Sequence, residues 1–457
     1  MNKTEKIKAS WIIGCDGAHS LVRHQCDIKF EGAPYLMNLW ATDLKITGTD
    51  LPGDVEHQSF GFISEVNGAL VIPLAKQDMF RIIVAENTPK KIQEGSENRP
   101  IIHQQLDFYK NILKYHYPAS TNWNFQEPIW NNHFRIHCRI ASHFRSPKYG
   151  RCFLAGDSAH LYSPVGGQGM NMGIHDAINL SWKLSQVLSA ISPESILVSY
   201  ELERKKVTKD TLLAADVMTK LVGTRNPFLI FLRNNILFPI ASSSLIQNKI
   251  VGKFQGLEYF YPLHNNNPTL SQFLPNPIQK HSLPFATGSR VPNPSILFND
   301  SHRLFDLFPM GSSFLLFFVF SNLDYLPKLI DEIVEKYDHF KICIISPHKL
   351  QNSNSNVNVK VINDSNRLIS DSFNVNKNAS YFIRPDGYVG FCSSPINIPY
   401  LSNYLEKNFV CKTNSSKLLA SRKIKFYEHD VISKASQHLQ SILCLFVALI
   451  AFCLFYC

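Results

Sequence analysis

The sequence lacks any pair of cysteines in a CxxC spacing, although the 457-residue chain contains ten cysteines. It therefore has no motif for thiol–disulfide exchange, and no group of histidines and cysteines has the spacing of a zinc site. Scattered cysteines of this kind are typical of reduced thiols in a protein that faces the cytosol. The ten positions are Cys15, Cys26, Cys138, Cys152, Cys343, Cys392, Cys411, Cys444, Cys453 and Cys457.

Two further absences concern targeting and partners. The N-terminal residues MNKTEKIKAS contain no apolar core, so we predict no secretory signal peptide. The net charge is +10, but no long basic face interleaved with aromatic residues is present, which disfavours a nucleic-acid partner. Charged residues make up 18% of the chain and hydrophobic residues 45%, a balance that predicts a globular protein of two or three domains.

Charge is absent from the last segment of the chain, Leu439–Cys457. As a helix this segment would be about 28 Å long, close to the ~30 Å thickness of the hydrocarbon layer of a bilayer. Basic residues precede it, among them Lys417 and Lys425. A basic flank before an apolar terminus predicts a single-pass membrane anchor with the body in the cytosol. A buried helix and an artefact at the end of a gene model are the alternatives.

The most informative motif lies in residues 151–184, RCFLAGDSAHLYSPVGGQGMNMGIHDAINLSWKL. It predicts a buried strand over Cys152–Ala155 and an acidic turn at Gly156-Asp157. A glycine-rich loop over residues 166–169 and a helix from about Met170 follow. Glycine tolerates positive φ and has no Cβ, so the N–H groups of such a loop come close to a ligand. The helix start adds partial positive charge, and Asp157 is placed to accept hydrogen bonds from sugar-like hydroxyls.

A second motif, Asp16-Gly17-x-x-Ser20-x-x-Arg23, follows an apolar strand at Trp11–Ile13. Asp16-Gly17 is a strong turn pair, and Ser20 is suited to the N-cap of a helix. Arg23 would lie one turn inside that helix, where its guanidinium could reach an anionic ligand as a bidentate donor. An ordinary capped turn is the alternative.

Together the two motifs resemble those of the FAD-dependent aromatic hydroxylases of the phenol hydroxylase type, a group of flavoprotein monooxygenases. Ser158 stands where this family usually has alanine. The match also includes His160, Pro164, Asn171, Asp176, Ala177, Asn179, Leu180, Trp182, Lys183, Leu184, Tyr200, Glu201, Glu203 and Arg204.

The resemblance implies that Asp157 holds the ribityl chain of FAD and that Asp16 supports the flavin. It also implies that Arg23 bears on the pyrophosphate of NADPH and that Pro164 lies near the oxygen-reactive edge of the ring. NADPH would reduce FAD, and an oxygen atom from O₂ would pass to a phenolic or other aromatic substrate, with no catalytic side chain assigned. The implied cofactor-binding residues are Asp16, Arg23, Gly156, Asp157, Pro164, Gly166, Gly167, Gln168, Gly169, Met170 and Asn171.

No GxGxxG motif occurs in the chain, whereas the resembled family has an N-terminal strand–GxGxxG–helix that cradles the ADP pyrophosphate. The chain is therefore expected to be either a fragment of a longer enzyme or a natural shortened form. The alternative function is that of a truncated, non-catalytic, membrane-tethered remnant that acts as an interaction module.

Between the two motifs the pattern predicts strands at Tyr35–Ile46, Gln58–Ile63, Gly68–Pro73, Phe80–Ala85 and Trp130–Phe144, and a helix at Ile102–Tyr115. Asn67-Gly68 favours a hairpin. In the resembled family this sheet forms the aromatic-substrate pocket, for which the candidate residues here are Trp40, Phe60, Phe62 and Phe134. His133, His137 and His143 fit no common metal-ligand spacing, and we interpret them as structural.

A further domain is predicted after the Asn/Pro-rich segment His264–Pro277. Strands at Phe314–Phe320, Lys341–Ser346 and Val357–Ile362, a helix at Leu326–Tyr337, and a hairpin around Pro385-Asp386-Gly387 indicate a small α/β sandwich. This order, with the segment RPDGYVG from Arg384, resembles the thioredoxin-like C-terminal domain of phenol-hydroxylase-type members. A role in packing or in homodimer contact is expected.

The expected fold class is thus α/β (α+β). An incomplete FAD-binding Rossmann-like domain carries a β-sheet substrate domain and is followed by a thioredoxin-like domain and a transmembrane helix. The predicted boundaries are 1–28 and 146–265 for the FAD-binding domain, 29–145 for the substrate domain, 266–287 for a linker, 288–410 for the thioredoxin-like domain, 411–438 for a basic linker and 439–457 for the membrane tail.

Overall fold

The computed structural model describes residues 9–48, 60–63, 67–87, 102–163, 167–222, 224, 226–241, 243, 259–261, 285, 287–294, 303–307, 311–321, 323–337, 339–348 and 358–414. Its strands are β1 (Ile12–Gly14), β2 (Phe30–Gly48), β3 (Phe60–Ile63), β4 (Asn67–Pro73), β5 (Met79–Asn87), β6 (Trp123–Phe125), β7 (Trp130–Ala141), β8 (Cys152–Leu154), β9 (His160–Leu161), β10 (Phe314–Phe318), β11 (Lys341–Ser346), β12 (Val359–Asn363), β13 (Ala379–Ile383) and β14 (Val389–Ser393). Its α-helices are α1 (Leu21–Gln25), α2 (Ile102–His116), α3 (Gln168–Leu188), α4 (Val198–Val222), α5 (Pro227–Leu232), α6 (Phe238–Ala241), α7 (Leu326–Lys336), α8 (Leu368–Ser372) and α9 (Ile398–Asn408).

A two-stranded parallel sheet joins the two sequence motifs. β1 pairs with β8 so that Ile12 lies beside Cys152 and Gly14 beside Leu154. The side chains of β8 are buried against α3 and α4, in a cluster that includes Phe153, Leu180 and Tyr200. Parallel strands present their carboxyl ends at one edge, so the segments that follow β1 and β8 leave the sheet on the same side.

The sheet predicted between the motifs is confirmed. Its strands run in the order β3-β4-β5-β2-β7-β9, and β6 pairs with the end of β2. One face packs against α2 through Leu106, Tyr109 and Leu113, and this cluster buries Ile82 and Val84 of β5. The opposite face carries Leu39, Ile136 and Tyr35. Tyr35 donates a 2.5 Å hydrogen bond to Asp216 of α4, so this second face is turned toward the helices that follow the glycine-rich loop.

A second helical layer comprises α3 and α4. α3 is 21 residues long, and its buried side chains include Met172, Asp176 and Leu180. α4 is 25 residues long, and it buries Tyr200 and Arg204 against α3 and β8. A π-helical turn, Arg233–Leu237, joins α5 to α6.

The C-terminal unit contains a five-stranded sheet in the order β12-β11-β10-β13-β14. β10, β11 and β12 are parallel, whereas β13 and β14 run antiparallel to their neighbours. β10 is buried along its whole length because α7 and α9 cover one face and α8 lies against the other. The predicted α/β arrangement is therefore confirmed, while the thioredoxin-like assignment stays a prediction.

Several predicted boundaries were wrong by a few residues. α3 begins at Gln168 rather than near Met170, and β7 ends at Ala141 rather than at Phe144. The β3–β4 hairpin is present, but Asn67 and Gly68 belong to β4 itself. The short helix α8 and the terminal helix α9 were not predicted.

Other predictions fall outside the described residues. These are the linker segment His264–Pro277 and the apolar tail Leu439–Cys457. Within the described part of the chain, no helix combines the length with the apolar character that a bilayer crossing requires.

Candidate functional site

Asp16 and Asp157 lie at the same edge of the small parallel sheet. Asp16 follows the end of β1 by two residues, and Asp157 follows the end of β8 by three. Gly14 and Leu154, the last residues of the two strands, are partners in the sheet register. The structure thus brings together the two motifs that the sequence separates by about 140 residues.

Asp16 shapes the loop that leads into α1. Its carboxylate accepts a 2.5 Å hydrogen bond from the Ser20 hydroxyl and a 3.1 Å hydrogen bond from the N–H of Val22. Partial burial opposes ionisation of Asp16, but these hydrogen bonds, together with the amides of Asp16 and Leu21, outweigh it and lower the pKa. Ser20 in turn accepts a hydrogen bond from the N–H of Arg23, so its predicted role as the N-cap of α1 is confirmed.

Asp157 lies in a single 3₁₀ turn, Gly156–Ser158, directly after β8. Its side chain is exposed, and within the described residues no donor forms a hydrogen bond with its carboxylate. Protein atoms around the carboxyl nevertheless restrict its hydration, and this desolvation raises the pKa of Asp157, although nearby His160 acts in the opposite direction. A carboxylate in this position can accept hydrogen bonds from a hydroxylated ligand.

The start of α3 is open beside this turn. Gly167 occupies the N-cap position with φ of 63°, a conformation that favours glycine, and no side chain caps the helix. A Cβ at Gly169 would lie more than 4 Å from every described atom outside its chain neighbours and its own helical backbone. Met170 is 54% exposed, and Asn171 is also exposed. Uncapped N–H groups and the helix dipole make this end suitable for a ligand that carries negative charge.

Gln168 differs from its neighbours because its side chain is buried. Its amide oxygen accepts a 3.2 Å hydrogen bond from the hydroxyl of Tyr259. Gln168 therefore fixes the first turn of α3 from the inside, while Gly167 and Gly169 leave the outside clear.

The acidic turn packs directly against α3. Gly156 has φ of 62°, and a Cβ on Gly173 would lie 3.4 Å from the Cα of Gly156. The N–H of Gly156 donates a 3.0 Å hydrogen bond to Asp176, one turn further along the helix. Two glycines therefore allow the close approach, and Asp176 holds it in place.

Asp176 is the centre of a fully buried ionic cluster. It accepts a 2.6 Å hydrogen bond from His160 and a 2.7 Å hydrogen bond from Arg204. Burial alone would raise the pKa of Asp176, but His160 and Arg204 overcome this effect and lower the pKa to about 2. Sequence comparison matched these three residues to the resembled family but gave them no role. One feature of the sequence could have revealed the cluster: charged residues occupy positions of α3 and α4 where the helical pattern predicts buried side chains.

Ser158 also has a structural role, which could not be predicted from the observation that the resembled family usually has alanine at this position. Its buried hydroxyl donates to the main-chain oxygen of Gly14 at 2.6 Å and accepts from the N–H of Ala155 at 3.2 Å. It therefore joins the end of β1 to the turn after β8.

Arg23 points into the protein. It is 3% exposed, and its guanidinium donates to the main-chain oxygens of Ser158 at 2.8 Å and Ala18 at 2.7 Å. The guanidinium also lies over the ring of Phe30, 3.9 Å from its centroid. In this position Arg23 links the two motif turns, and its contact with NADPH stays a prediction.

The remaining candidate residues divide into two groups. Pro164 and Gly166, and the side chains of Phe60, Phe62 and Phe134, lie outside the described part of the structure. Trp40 is described, and it lies on the sheet face that α2 covers, where it packs against Phe108 and His133. That face is opposite to the one carrying Leu39 and Tyr35, so Trp40 does not line the space between the sheet and α4.

The arrangement combines the exposed carboxylate of Asp157, to which no described donor binds, with the uncapped start of the helix against which its turn packs. A ligand with hydroxyl groups next to an electron-accepting, potentially anionic ring would match both features. Among the described residues of the turn and the helix start, no side chain is placed as a nucleophile beside a general base. The chemistry of such a site would therefore reside in the bound group.

Comparison with known proteins agrees with this geometry. Residues 1–215 match the family model of an FAD binding domain. The chain is 27% identical over 316 residues to the "uncharacterized aromatic compound monooxygenase YhjG" of Bacillus subtilis (strain 168), covering 68% of this chain and 56% of that protein. It is 31% identical over 226 residues to the rifampicin monooxygenase of Streptomyces venezuelae, covering 48% of this chain and 43% of that protein. The chain thus spans about half the length of these curated relatives.

The fold is also shared with a solved structure, the OxyS anhydrotetracycline hydroxylase from Streptomyces rimosus. The TM-score is 0.61 at 21% identity, and the match covers 87% of this chain and 69% of that one. At this level of identity the similarity establishes the fold alone.

Proposed function

We propose that the chain acts as a flavin-dependent monooxygenase on an aromatic substrate, because residues 1–215 match the model of an FAD binding domain and an aromatic compound monooxygenase is among its relatives. The match over residues 1–215 supports the resemblance predicted from the sequence motifs at the level of the FAD binding domain. The proposal includes the oxidoreductase activity of this chain, its electron donor and its substrate.

One observation carries the proposal: the turn that holds Asp157 packs, through Gly156, against Gly173 and Asp176 of α3, the helix whose start has no side-chain cap. The free carboxylate of Asp157 would accept hydrogen bonds from the ribityl hydroxyls of FAD. The N–H groups around Gly169 and Met170 would face the ring, because Gly167 and Gly169 carry no side chains and no side chain caps the start of α3. These residues fit the ring-bearing half of a flavin nucleotide.

When bound, the flavin would supply the redox chemistry with O₂. The residues of the chain would bind and orient it. The dipole of α3 would favour negative charge on the ring, and the Asp176 cluster would keep the Gly156–Ser158 turn in register with the helix. The aromatic substrate would approach from the sheet face that carries Leu39 and Tyr35, since α2 covers the other face.

Titration of the purified chain with FAD, followed by quenching of flavin fluorescence, tests the cofactor assignment. Asp157→Asn removes the free carboxylate with little change in volume and is expected to weaken FAD binding by about tenfold or more. Asp210→Asn is the matched control, because Asp210 is an exposed carboxylate on α4 that pairs with Lys206 on the surface. Absence of flavin binding by the unmodified chain, or equal affinity in both variants, would contradict the assignment.

We propose NADPH as the electron donor and a phenolic or related aromatic compound as the substrate. NADPH oxidation by the flavin-loaded chain should accelerate when the aromatic compound is added. The product should gain one oxygen atom, detectable by mass spectrometry and labelled when ¹⁸O₂ is supplied. Oxidation of NADPH that no aromatic compound stimulates, or a product without label, would argue against hydroxylation.

We also propose that segment 439–457 anchors the chain in a membrane, with the body facing the cytosol. The support is its uncharged sequence of about one bilayer thickness and the basic residues before it. The full-length chain should sediment with membranes and resist carbonate extraction, whereas a chain shortened to end at His438 should remain in the supernatant. Equal partition of the two would reject the anchor.

A further inference from the structure

Arg384 lies in the turn between β13 and β14 and contacts the helical layer. Its side chain is 11% exposed. Its guanidinium donates to both carboxylate oxygens of Glu203 in α4, at 2.7 and 2.9 Å. The same group also donates to Asp386, at 2.5 and 3.1 Å. A bidentate pair fixes orientation as well as distance, so Arg384 joins the C-terminal unit rigidly to α4.

Glu203 extends this connection to α3. Its carboxylate accepts 2.8 Å hydrogen bonds from Asn179 and from Lys183, which lie one turn apart on α3. Asp386 makes a second connection, because it accepts a 3.0 Å hydrogen bond from the indole N–H of Trp182. The turn of the C-terminal unit therefore holds α3 both directly and through α4.

The next residue of α4 points to the acidic turn. Arg204 donates to Asp176 at 2.7 Å and to the main-chain oxygen of Met172 at 3.1 Å. Asp176 accepts the N–H of Gly156 with its other oxygen, at 3.0 Å. Two consecutive residues, Glu203 and Arg204, thus hold two parts of α3, one linked to the C-terminal unit and the other to the turn that carries Asp157.

The network is balanced in charge and buried. Removing one member would leave an opposite charge without its partner in a largely buried region, and the remaining groups would have to rearrange. The three cations are Lys183, Arg204 and Arg384, and the three anions are Asp176, Glu203 and Asp386.

We propose that Arg384 is a positioning residue of the flavin site, through which the C-terminal unit sets the placement of α3 and of the Gly156–Ser158 turn. The inference rests on the proposed function because it concerns the same site. It assigns the C-terminal unit a role in holding the cofactor site in its binding geometry, beyond packing.

Hydrogen exchange measured by mass spectrometry tests this on the full chain. In Arg384→Met, amides of residues 152–176 should exchange about tenfold faster or more, and FAD affinity should fall by a similar factor. Arg384→Lys keeps the cation but not the two-pronged geometry, and it should restore at least part of the protection. The matched control is Arg367→Met, because Arg367 belongs to the same unit, is 40% exposed and pairs with Asp371 on the surface.

The outcomes separate the two proposals. If Arg384→Met alters exchange only within residues 379–393 and leaves both residues 152–176 and FAD affinity unchanged, the positioning role is rejected. Should that variant not fold, Arg384→Lys and Glu203→Gln are judged by the same criterion. If the unmodified chain binds no FAD, the proposed function fails, while faster exchange at residues 152–176 would still establish the connection from Arg384 to the turn.

Discussion

The hydroxyl of Ser158 donates a 2.6 Å hydrogen bond to the main-chain oxygen of Gly14. This bond crosses from the turn after β8 to the end of β1, and it is buried. Arg23 adds a second cross-connection, since it donates to the main-chain oxygen of Ser158. The two sequence motifs are thus held together by side chains as well as by the two short strands.

Replacement of Ser158 by alanine, the residue usual in the family, should destabilise the chain by about 1 kcal/mol, the ordinary net value of one hydrogen bond. The main-chain oxygen of Gly14 would keep the N–H of Ala155 as a donor, at 3.0 Å, which limits the loss. Urea unfolding followed by tryptophan fluorescence measures the change. Ser372→Ala, which removes an exposed hydroxyl, is the control; an equal effect of both substitutions would show that the cross-connection contributes nothing.

A substitution at Gly169 should affect the stability of the chain and its affinity for FAD differently. A Cβ there would contact no described residue outside its own helical turn, and alanine favours a helix by about 1 kcal/mol over glycine. Gly169→Ala should therefore leave the thermal midpoint unchanged or raise it. Because the added methyl group would project toward the ring, FAD affinity should fall, whereas Ser181→Ala further along α3 should alter neither property. Unchanged affinity in Gly169→Ala would place the ring elsewhere.

The site could be predicted from sequence only as far as local chemistry determines it. The turn at Asp16-Gly17, the N-cap at Ser20 and the turn at Gly156-Asp157 depend on neighbouring residues, and each was placed correctly. The Asp176 cluster was not predicted, because its partner Arg204 lies 28 positions away on another helix. Such a pair is defined by the packing of α3 on α4, which no local pattern specifies.

The position of Trp40 shows a similar limit. Alternation along β2 separates its residues into two faces but does not say which face meets α2. The sequence pattern therefore indicated Trp40 as a pocket residue, whereas the structure packs it on Phe108 of α2. The length of α3 was underestimated for another reason: glycines at a helix start have low helical propensity, even where the backbone continues the helix.

Acid should unfold the chain in a defined window. Burial opposes ionisation of Glu203, but Arg384 and Lys183 lower its pKa from 4.5 to about 2, and the pKa of Asp176 falls from 3.8 to about 2. A carboxyl whose pKa is lowered by folding contributes stability above its ordinary pKa and loses that contribution as the pH falls toward the folded value. The contribution of these two carboxyls to the free energy of unfolding should therefore be complete above about pH 5 and be lost between about pH 4.5 and 2.

Denaturant titrations at several pH values measure this decline. Glu203→Gln should show a shallower decline over the same window, because the variant has no carboxyl to protonate at that position. Asp210→Asn, which removes an exposed carboxyl, should keep the full slope. A slope that Glu203→Gln leaves intact would mean that other groups cause the acid sensitivity.

Two aspartates next to one turn should respond in opposite ways to the same substitution. Asp157→Asn should leave the stability unchanged or slightly higher, since burial already disfavours its charged form and no described donor binds it. Asp176→Asn should cost about 3–5 kcal/mol, because it leaves the buried Arg204 without its counter-charge. Chemical denaturation of both variants at pH 7 gives the comparison. The Asp157→Asn variant should bind FAD more weakly while it remains fully folded. The Asp176→Asn variant should lose both FAD affinity and stability. If Asp176→Asn were as stable as the unmodified chain, the cluster would not hold the turn.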